Sequence, residues 1–302
     1  MKVSVVILPI YRWRRGSRVW QRAEQLGCHA AYTYDHLSWR DFRDGPWFGA
    51  VPTLTAAAAA TERIALGTMV TSPNFRHPVT LAKDLMTIDD VSQGRLRVGI
   101  GAGGSGYDAT ALGQPAWSVR ERADRFGEFV PLLDQLLRQD ATTADGRYYS
   151  AHEARMLPGC VQQPRVPFLI AATGPRGMSL AARYGHGWVT TGPGARFRTA
   201  SGGPPTAAEA QRAVAEQIDR LAGIVRDTEV KAAELERVLL TGFLPEDPLA
   251  STDAFVDLAG RYGEAGITEL VVHWPIPDSV FAADQTLFEK IITDALPQLR
   301  GY

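Results

Sequence analysis

Apolar runs of strand length alternate along the chain with longer stretches whose apolar positions recur at helical spacing. The runs fall at Val3–Leu8, Ala30–Tyr34, Ile64–Val70, Leu96–Gly101, Pro167–Ala171, Gly187–Thr190, Val238–Phe243 and Glu269–His273. Several are apolar on consecutive residues, the pattern of strands covered on both faces. Helices are expected at Val19–Gln25, Val51–Ala60, Val79–Val91, Val119–Arg138, Gly177–Tyr184, Thr206–Arg226, Thr252–Glu264 and Ala282–Ala295. Eight strands and eight helices in alternation predict an α/β chain folded as a (β/α)8 TIM barrel. A doubly wound sheet would place a glycine loop after its first strand, where this chain has Pro9-Ile10-Tyr11. Ala141–Pro167 breaks the alternation and reads as a short insertion or hairpin. Gly192–Pro205, rich in Gly, Pro, Arg and Ser, reads as a mobile loop. Thr206 and Glu209 form a capping box at the start of the helix that follows.

A chain of 302 residues fits one barrel, so residues 1–302 are expected to form a single domain. Hydrophobic residues make up 45% and charged residues 22%, a balance that can bury a large core. The net charge of −1 gives no electrostatic reason to bind nucleic acid or an anionic membrane. No apolar run approaches the ~20 residues of a membrane span. A strand begins directly after Lys2, which leaves no room for a secretory leader, so the expected location is cytoplasmic. Cys28 and Cys160 are too few for a disulfide framework or a zinc site, and no His/Glu motif has metal-ligand spacing.

In a barrel, reacting groups sit on the loops after the strand C-termini. Following each expected strand to its end collects Asp35-His36, Met69–Ser72, Gly101–Gly104, Ala172-Thr173-Gly174, Thr190–Gly194 and His273-Trp274 on one face. Asp35-His36 is either a polar pair at a strand end or a proton-handling imidazole near a reacting centre. Leu169 to Gly177 combines a strand, a tight turn and a helix start. That makes either an anion cradle or simply a capped helix, and the residues leave both open. Gly99-Ile-Gly101-Ala-Gly103-Gly104 is a weak dinucleotide signal, since no nucleotide-binding helix follows it. Arg76-His77-Pro78 precedes a helix, and His77 is expected to cap or pack there. Trp39 and Trp274 lie near loops and could wall a substrate pocket.

From Gly67-Thr-Met-Val70 through Arg76-His-Pro78, Leu81-Ala-Lys83, Asp89-x-x-Ser92-x-Gly94-Arg95 and Gly99-x-Gly101-x-Gly103, the chain resembles the luciferase-like monooxygenase family. That resemblance implies a barrel whose redox chemistry is done by a bound flavin or by the deazaflavin coenzyme F420. Asp35-His36-Leu37, the run Phe48-Gly-Ala50…Pro52-Thr-Leu54 and Arg122-x-x-Arg-Phe-x-Glu-Phe129 are similar to the deazaflavin-dependent branch of high-GC bacteria. The preference for arginine agrees: four lysines stand among 32 basic residues. The implied reaction is hydride transfer to or from a small organic molecule.

The resemblance also implies roles. His36 would lie against the coenzyme, with Asp35 orienting it or meeting coenzyme hydroxyls. Met69, Val70 and Thr71 would form a bulge under the ring, with a cis peptide between Met69 and Val70. Gly101, Gly103 and Tyr107 would contact the coenzyme. Thr173, Gly174 and Pro175 would hold its phosphate, with Arg176 adding charge. Asp108 replaces a common Glu, Tyr107 a common Asn, and Gly104 the acidic catalytic residue of sugar-phosphate-oxidising relatives, which argues against that substrate. A homodimer and a coenzyme reductase are the implied partners. Alternatives are an FMN-dependent monooxygenase, a non-catalytic flavin-binding barrel, or an unrelated barrel lyase, for which no lysine stands at a strand end.

Overall fold

The computed structural model describes residues 1–193, 203–226 and 235–299. Its first strand, β1 (Lys2–Val6), leads through α1 (Trp13–Gln25) to β2 (Ala30–Thr33), then α2 (Ala50–Ala60), β3 (Ala65–Thr71), α3 (Pro78–Val91) and β4 (Leu96–Gly101). After α4 (Val119–Arg138) a two-stranded antiparallel hairpin, β5 (Ala141–Asp145) and β6 (Ser150–Arg155), interrupts the alternation. It resumes with β7 (Phe168–Ala171), α5 (Pro175–Tyr184), β8 (Gly187–Thr190), α6 (Ala207–Arg226), β9 (Glu236–Leu240), α7 (Thr252–Glu264), β10 (Glu269–His273) and α8 (Gln285–Gln298). The barrel order is β1-β10-β9-β8-β7-β4-β3-β2, closed by parallel pairing of β1 with both β10 and β2. This is the (β/α)8 barrel with a short insertion that the alternation predicts.

Each barrel strand is buried on both sides, which explains the unbroken apolar runs. Val3, Val5 and Ile7 face the helices, while Val6 and Leu8 fill the lumen with Tyr32, Met69, Leu169, Val238 and Val271. At the N-terminal end of the lumen Glu269 accepts from Ser4 Oγ at 2.7 Å, Tyr32 Oη at 2.9 Å and Arg97 at 2.8 Å, so its charge is paired and hydrogen-bonded. That end is therefore sealed, and the opposite rim is left for chemistry.

Three boundaries differ from the expected ones. Helix α1 starts at Trp13 instead of Val19, and buries Gly16, Trp20 and Ala23 along one face. Helix α8 starts at Gln285 because Asp284 caps it, accepting from Leu287 N at 2.7 Å. The strand expected to reach Phe243 ends at Leu240 and passes into a 3-10 turn. The capping box at Thr206 and Glu209 forms as expected. Most of the loop expected to be mobile lies outside the described residues.

Candidate active site

Strand β2 delivers Tyr34, Asp35 and His36 to the C-terminal rim. Asp35 is 1% exposed and makes a two-pronged pair with Arg76, whose Nη2 donates at 2.7 Å and Nε at 3.0 Å. This ties the loop after β2 to the loop after β3 and uses both carboxylate oxygens. The expectation that Asp35 orients His36 is corrected: the partner of His36 Nδ1 is Asp108 Oδ2. The other oxygen of Asp108 accepts from Leu37 N at 2.6 Å and Ser38 N at 3.4 Å. Trp47 Nε1 donates to the His36 carbonyl at 2.7 Å, and the Tyr34 ring meets the imidazole edge-on at 5.8 Å. Held on one nitrogen by a buried carboxylate, the imidazole keeps Nε2 without a hydrogen-bond partner among the described residues.

Strand β3 ends in the expected bulge. The Met69–Val70 peptide is cis, and the pairing register with β4 shifts between Thr68 and Thr71. Gly101 is needed beside it, because a Cβ there would lie 2.8 Å from Val70 Cγ2. Gly103 turns the chain at φ +76°, where a Cβ would strike the Asn74 side chain at 2.7 Å. Along this stretch Thr71 Oγ1, Ser72 Oγ and Asn74 Oδ1 are buried with no hydrogen-bond partner, as is Ser38 Oγ nearby. Buried polar atoms are normally satisfied, so this row has capacity for a polar ligand. Tyr107 is half-exposed at the rim beneath the Arg43 guanidinium, 4.3 Å from its ring centre.

On the far side of the mouth, α5 begins at Pro175 with Gly174 as an N-cap that has no side chain to cap it. A Cβ on Gly174 would meet nothing within 4 Å, so there is room beside this helix start, and the N–H groups of its first turn give it a partial positive charge. Thr173 is exposed, and its carbonyl accepts from Arg220 Nη1 at 3.4 Å. Arg176 is engaged elsewhere, donating to Asp124 at 2.6 Å, so charge at this loop comes from the helix N-terminus and Arg220.

Trp39 stacks on Phe281 at 5.8 Å and packs edge-on against Tyr34 at 5.2 Å, which makes it part of an aromatic roof over the lumen. Trp274 is not part of that wall. It packs on Phe288 of α8 at 5.1 Å in the layer outside the barrel, because its neighbour His273 takes the inward position. His273, which the sequence places on the rim without a role, lies beneath that aromatic roof. Its Nε2 lies 2.8 Å from Tyr34 Oη, its ring stacks on Phe281 at 3.6 Å, and Nδ1 has no partner. Burial pushes its pKa down to about 3, so it is neutral at ordinary pH, and burial also raises that of Tyr34. His77 is structural as expected: Nδ1 accepts from Val79 N at 3.2 Å to cap α3. No group of His, Cys, Asp and Glu among the described residues could hold a metal, and no described helix is long and apolar enough to cross a membrane.

Side chains of these types can hold and move protons but do not carry hydride. Known proteins similar to this chain are named for such chemistry. A luciferase-like monooxygenase family profile matches residues 4–268. An F420-dependent glucose-6-phosphate dehydrogenase of Beutenbergia cavernae is 33% identical, over 92% of this chain and 91% of its own length. An F420-dependent hydroxymycolic acid dehydrogenase of Mycobacterium tuberculosis is 33% identical over 56% of this chain and 46% of its own. Among solved structures, an F420-dependent secondary alcohol dehydrogenase in complex with an F420-acetone adduct superposes with a TM-score of 0.81 at 19% identity, each chain covered to 99%, which establishes the shared barrel. By profile, by full-length similarity and by fold, the chain belongs to the luciferase-like monooxygenase family.

Proposed function

We propose that this chain is an F420-dependent oxidoreductase moving a hydride between the bound deazaflavin and a small organic substrate, with His36 as the proton-handling group. The observation that carries this reading is the layout of the rim. A carboxylate-held imidazole stands at β2 and an open helix N-terminus at β7, with buried partnerless hydroxyls between them. The residues fit a long ligand with a flat polar ring at one end and an anion at the other. Met69, Val70 and Thr71 with Gly101, Gly103 and Tyr107 would hold the ring, and Thr173, Gly174 and Pro175 the phosphate. When bound, the deazaflavin supplies hydride chemistry with little reactivity toward oxygen.

The chain's own part is positioning and proton transfer. Asp108 on Nδ1 leaves Nε2 of His36 to exchange a proton with a substrate oxygen, and stabilises the imidazolium that results. Trp39, Phe42 and Phe281 form an aromatic wall beside it, which favours an apolar substrate face. Where the resemblance expects an acid for sugar-phosphate oxidation, this chain has Gly104, whose missing Cβ would meet only Gly106 N at 3.9 Å. The backbone there would accept a Cβ, and the acid is absent. A sugar phosphate is therefore a poor fit despite the named relatives. A single working domain over residues 1–302, a homodimer, a reductase partner and a cytoplasmic location extend the proposal on the family resemblance alone.

Equilibrium titration with F420 and FMN side by side tests the coenzyme, with F420 expected to bind at least tenfold more tightly. Equal affinity, or FMN retained through purification, would transfer the reading to the monooxygenase alternative. His36→Ala is expected to leave F420 affinity within a few-fold while cutting hydride transfer by ~10²–10⁴, with His77→Ala as the structural control. Loss of turnover with His77→Ala alone would displace the site.

A further inference from the structure

Outside the lumen, between α1 and α2, the surface holds a trough of about 360 Å³. Its walls are Leu8, Tyr11, Trp13, Trp20, Phe48 and Pro52, and Thr53 adds a hydroxyl. Trp20 is 1% exposed and forms the floor. Trp13 and Phe48 are 40% and 44% exposed, unusual for rings of that size. Two open aromatic side chains flanking a concave apolar surface mark a place where something apolar is taken up.

The charge beside the trough is as unusual as its walls. Arg12, Arg14, Arg15 and Arg18 are all exposed, and none is paired with a carboxylate among the described residues. Arg22, one turn further on, has Glu289. No acidic residue occurs from Tyr11 through Ala23, in a chain whose net charge is −1. The Arg15 guanidinium lies 5.4 Å from the ring centre of Tyr11, a wall of the trough. Three of these arginines stand at the very start of α1, where no acidic residue and no side-chain cap offsets them. Cations at a helix N-terminus oppose its dipole, so local helix stability does not explain them. Departures from local rules with no structural return concentrate at functional sites.

We propose that this trough is a second binding site, for an amphipathic anion: an apolar chain or ring lying between Trp13 and Phe48, with a carboxylate, sulfonate or phosphate head on the arginines of α1. The site adjoins the reaction mouth without being part of it. Phe48 N donates to the Pro9 carbonyl at 2.7 Å, and the preceding residue, Trp47, is the one that tethers the backbone of His36. Leu8 belongs to both the trough and the lumen core. The wall of one site is thus the frame of the other.

The test uses the full chain without coenzyme. 8-Anilinonaphthalene-1-sulfonate serves as the fluorescent probe, and decanoate, decanol and acetate as competitors. One saturable site is expected, displaced by decanoate and at least tenfold less well by decanol or acetate. The double variant Arg14→Glu, Arg15→Glu should weaken decanoate at least tenfold and leave decanol unchanged. Phe48→Ser should weaken both, and Ala56→Phe, which fills the trough, should abolish binding with the thermal midpoint unchanged. Saturating F420 should not displace the probe. Equal displacement by decanol and decanoate, indifference to the arginine variants, or competition with F420 would each overturn the proposal. So would a dimer that dissociates on Phe48→Ser, which would give the trough to a second copy of the chain.

Discussion

At the scale of single residues, the two carboxylates near His36 do different work. Asp35 is spent on Arg76, and Asp108 is spent on the imidazole. Asp108→Asn should therefore cut single-turnover hydride transfer by ~10²–10⁴ with F420 affinity within a few-fold, because an amide on Nδ1 favours the wrong tautomer and cannot stabilise imidazolium. Asp35→Asn should instead lower stability by roughly 1.5–3 kcal/mol, since it removes the two-pronged partner of a largely buried guanidinium and leaves it Asp84 at 3.8 Å, with near-normal turnover per folded molecule. The reverse pattern in denaturation and stopped-flow measurements would restore Asp35 as the partner of His36. The sequence placed Asp35 at the rim and gave Asp108 only a position in the family pattern, and it could not pair Asp108 with His36, because the two are 72 positions apart and only barrel closure brings them together. His273 and Trp274 were hidden for a related reason. In a strand apolar on both faces, alternation no longer says which neighbour points inward.

His273 gives the residue-scale argument a pH test. Its folded-state pKa is depressed by burial to about 3 from an ordinary 6.5, so the unfolded chain binds a proton that the folded chain refuses. Above pH 6.5 it carries no penalty. As pH falls from 6.5 toward 3 it removes stability, by about 1.4 kcal/mol per pH unit. His273→Gln can still accept from Tyr34 Oη but cannot be protonated. Urea midpoints of wild type and variant should differ little in pH dependence above 6.5 and diverge below it, the wild type falling more steeply. Parallel curves down to pH 4 would mean that His273 is not buried as the fold places it.

At the scale of elements, the most recognisable motif in the chain turns out to build the barrel and not the site. Arg95 donates to Ser92 O at 2.8 Å, Ile64 O at 2.8 Å, Ala58 O at 2.8 Å, Thr61 O at 3.0 Å and Thr61 Oγ1 at 3.0 Å. It thereby closes the C-terminal end of α2 and the entries to β3 and β4 at the sealed end of the barrel. Asp89 in the same motif accepts from Gln162 N at 3.0 Å and Nε2 at 2.7 Å, which anchors the segment leading to β7. Lysine cannot reproduce a planar five-donor fork. Arg95→Lys should cost about 2–4 kcal/mol in chemical denaturation, because several carbonyls lose donors together, and should leave F420 affinity unchanged. A change in affinity without a change in stability would place the motif in the site. Element positions were legible wherever periodicity ran long. The hairpin β5–β6 was left open because its short strands are polar, exposed and without a core-facing pattern.

At the scale of the whole molecule, the two halves of the site stand on well-separated strands. In the barrel order, β7 is separated from β2 by β4 and β3, so His36 and Gly174 face each other across the mouth. The sequence made the barrel and this common rim legible, because each strand end could be found independently. The ligand proposed to span the rim was suggested only by the family resemblance, since no single segment contains both ends. The spanning arrangement leads to a prediction in which stability and binding move oppositely. Gly174 is the N-cap of α5 in extended backbone at φ −106°, with open space where a side chain would go. Asp is among the preferred N-caps, so Gly174→Asp should hold or raise the stability of the fold by a few tenths of a kcal/mol. The same carboxylate would stand within ~4–6 Å of a bound phosphate, where like charges in a partly desolvated site repel strongly. F420 affinity should fall at least tenfold, more at low salt. In the proposed orientation the ring end would lie across the mouth beside His36, so the ring and ribityl chain without the phosphate should bind the variant as well as wild type. If the variant is stable and both ligands bind as before, the phosphate seat is not at α5. If both weaken together, the ring itself lies over Gly174, and the coenzyme runs across the barrel in the opposite sense.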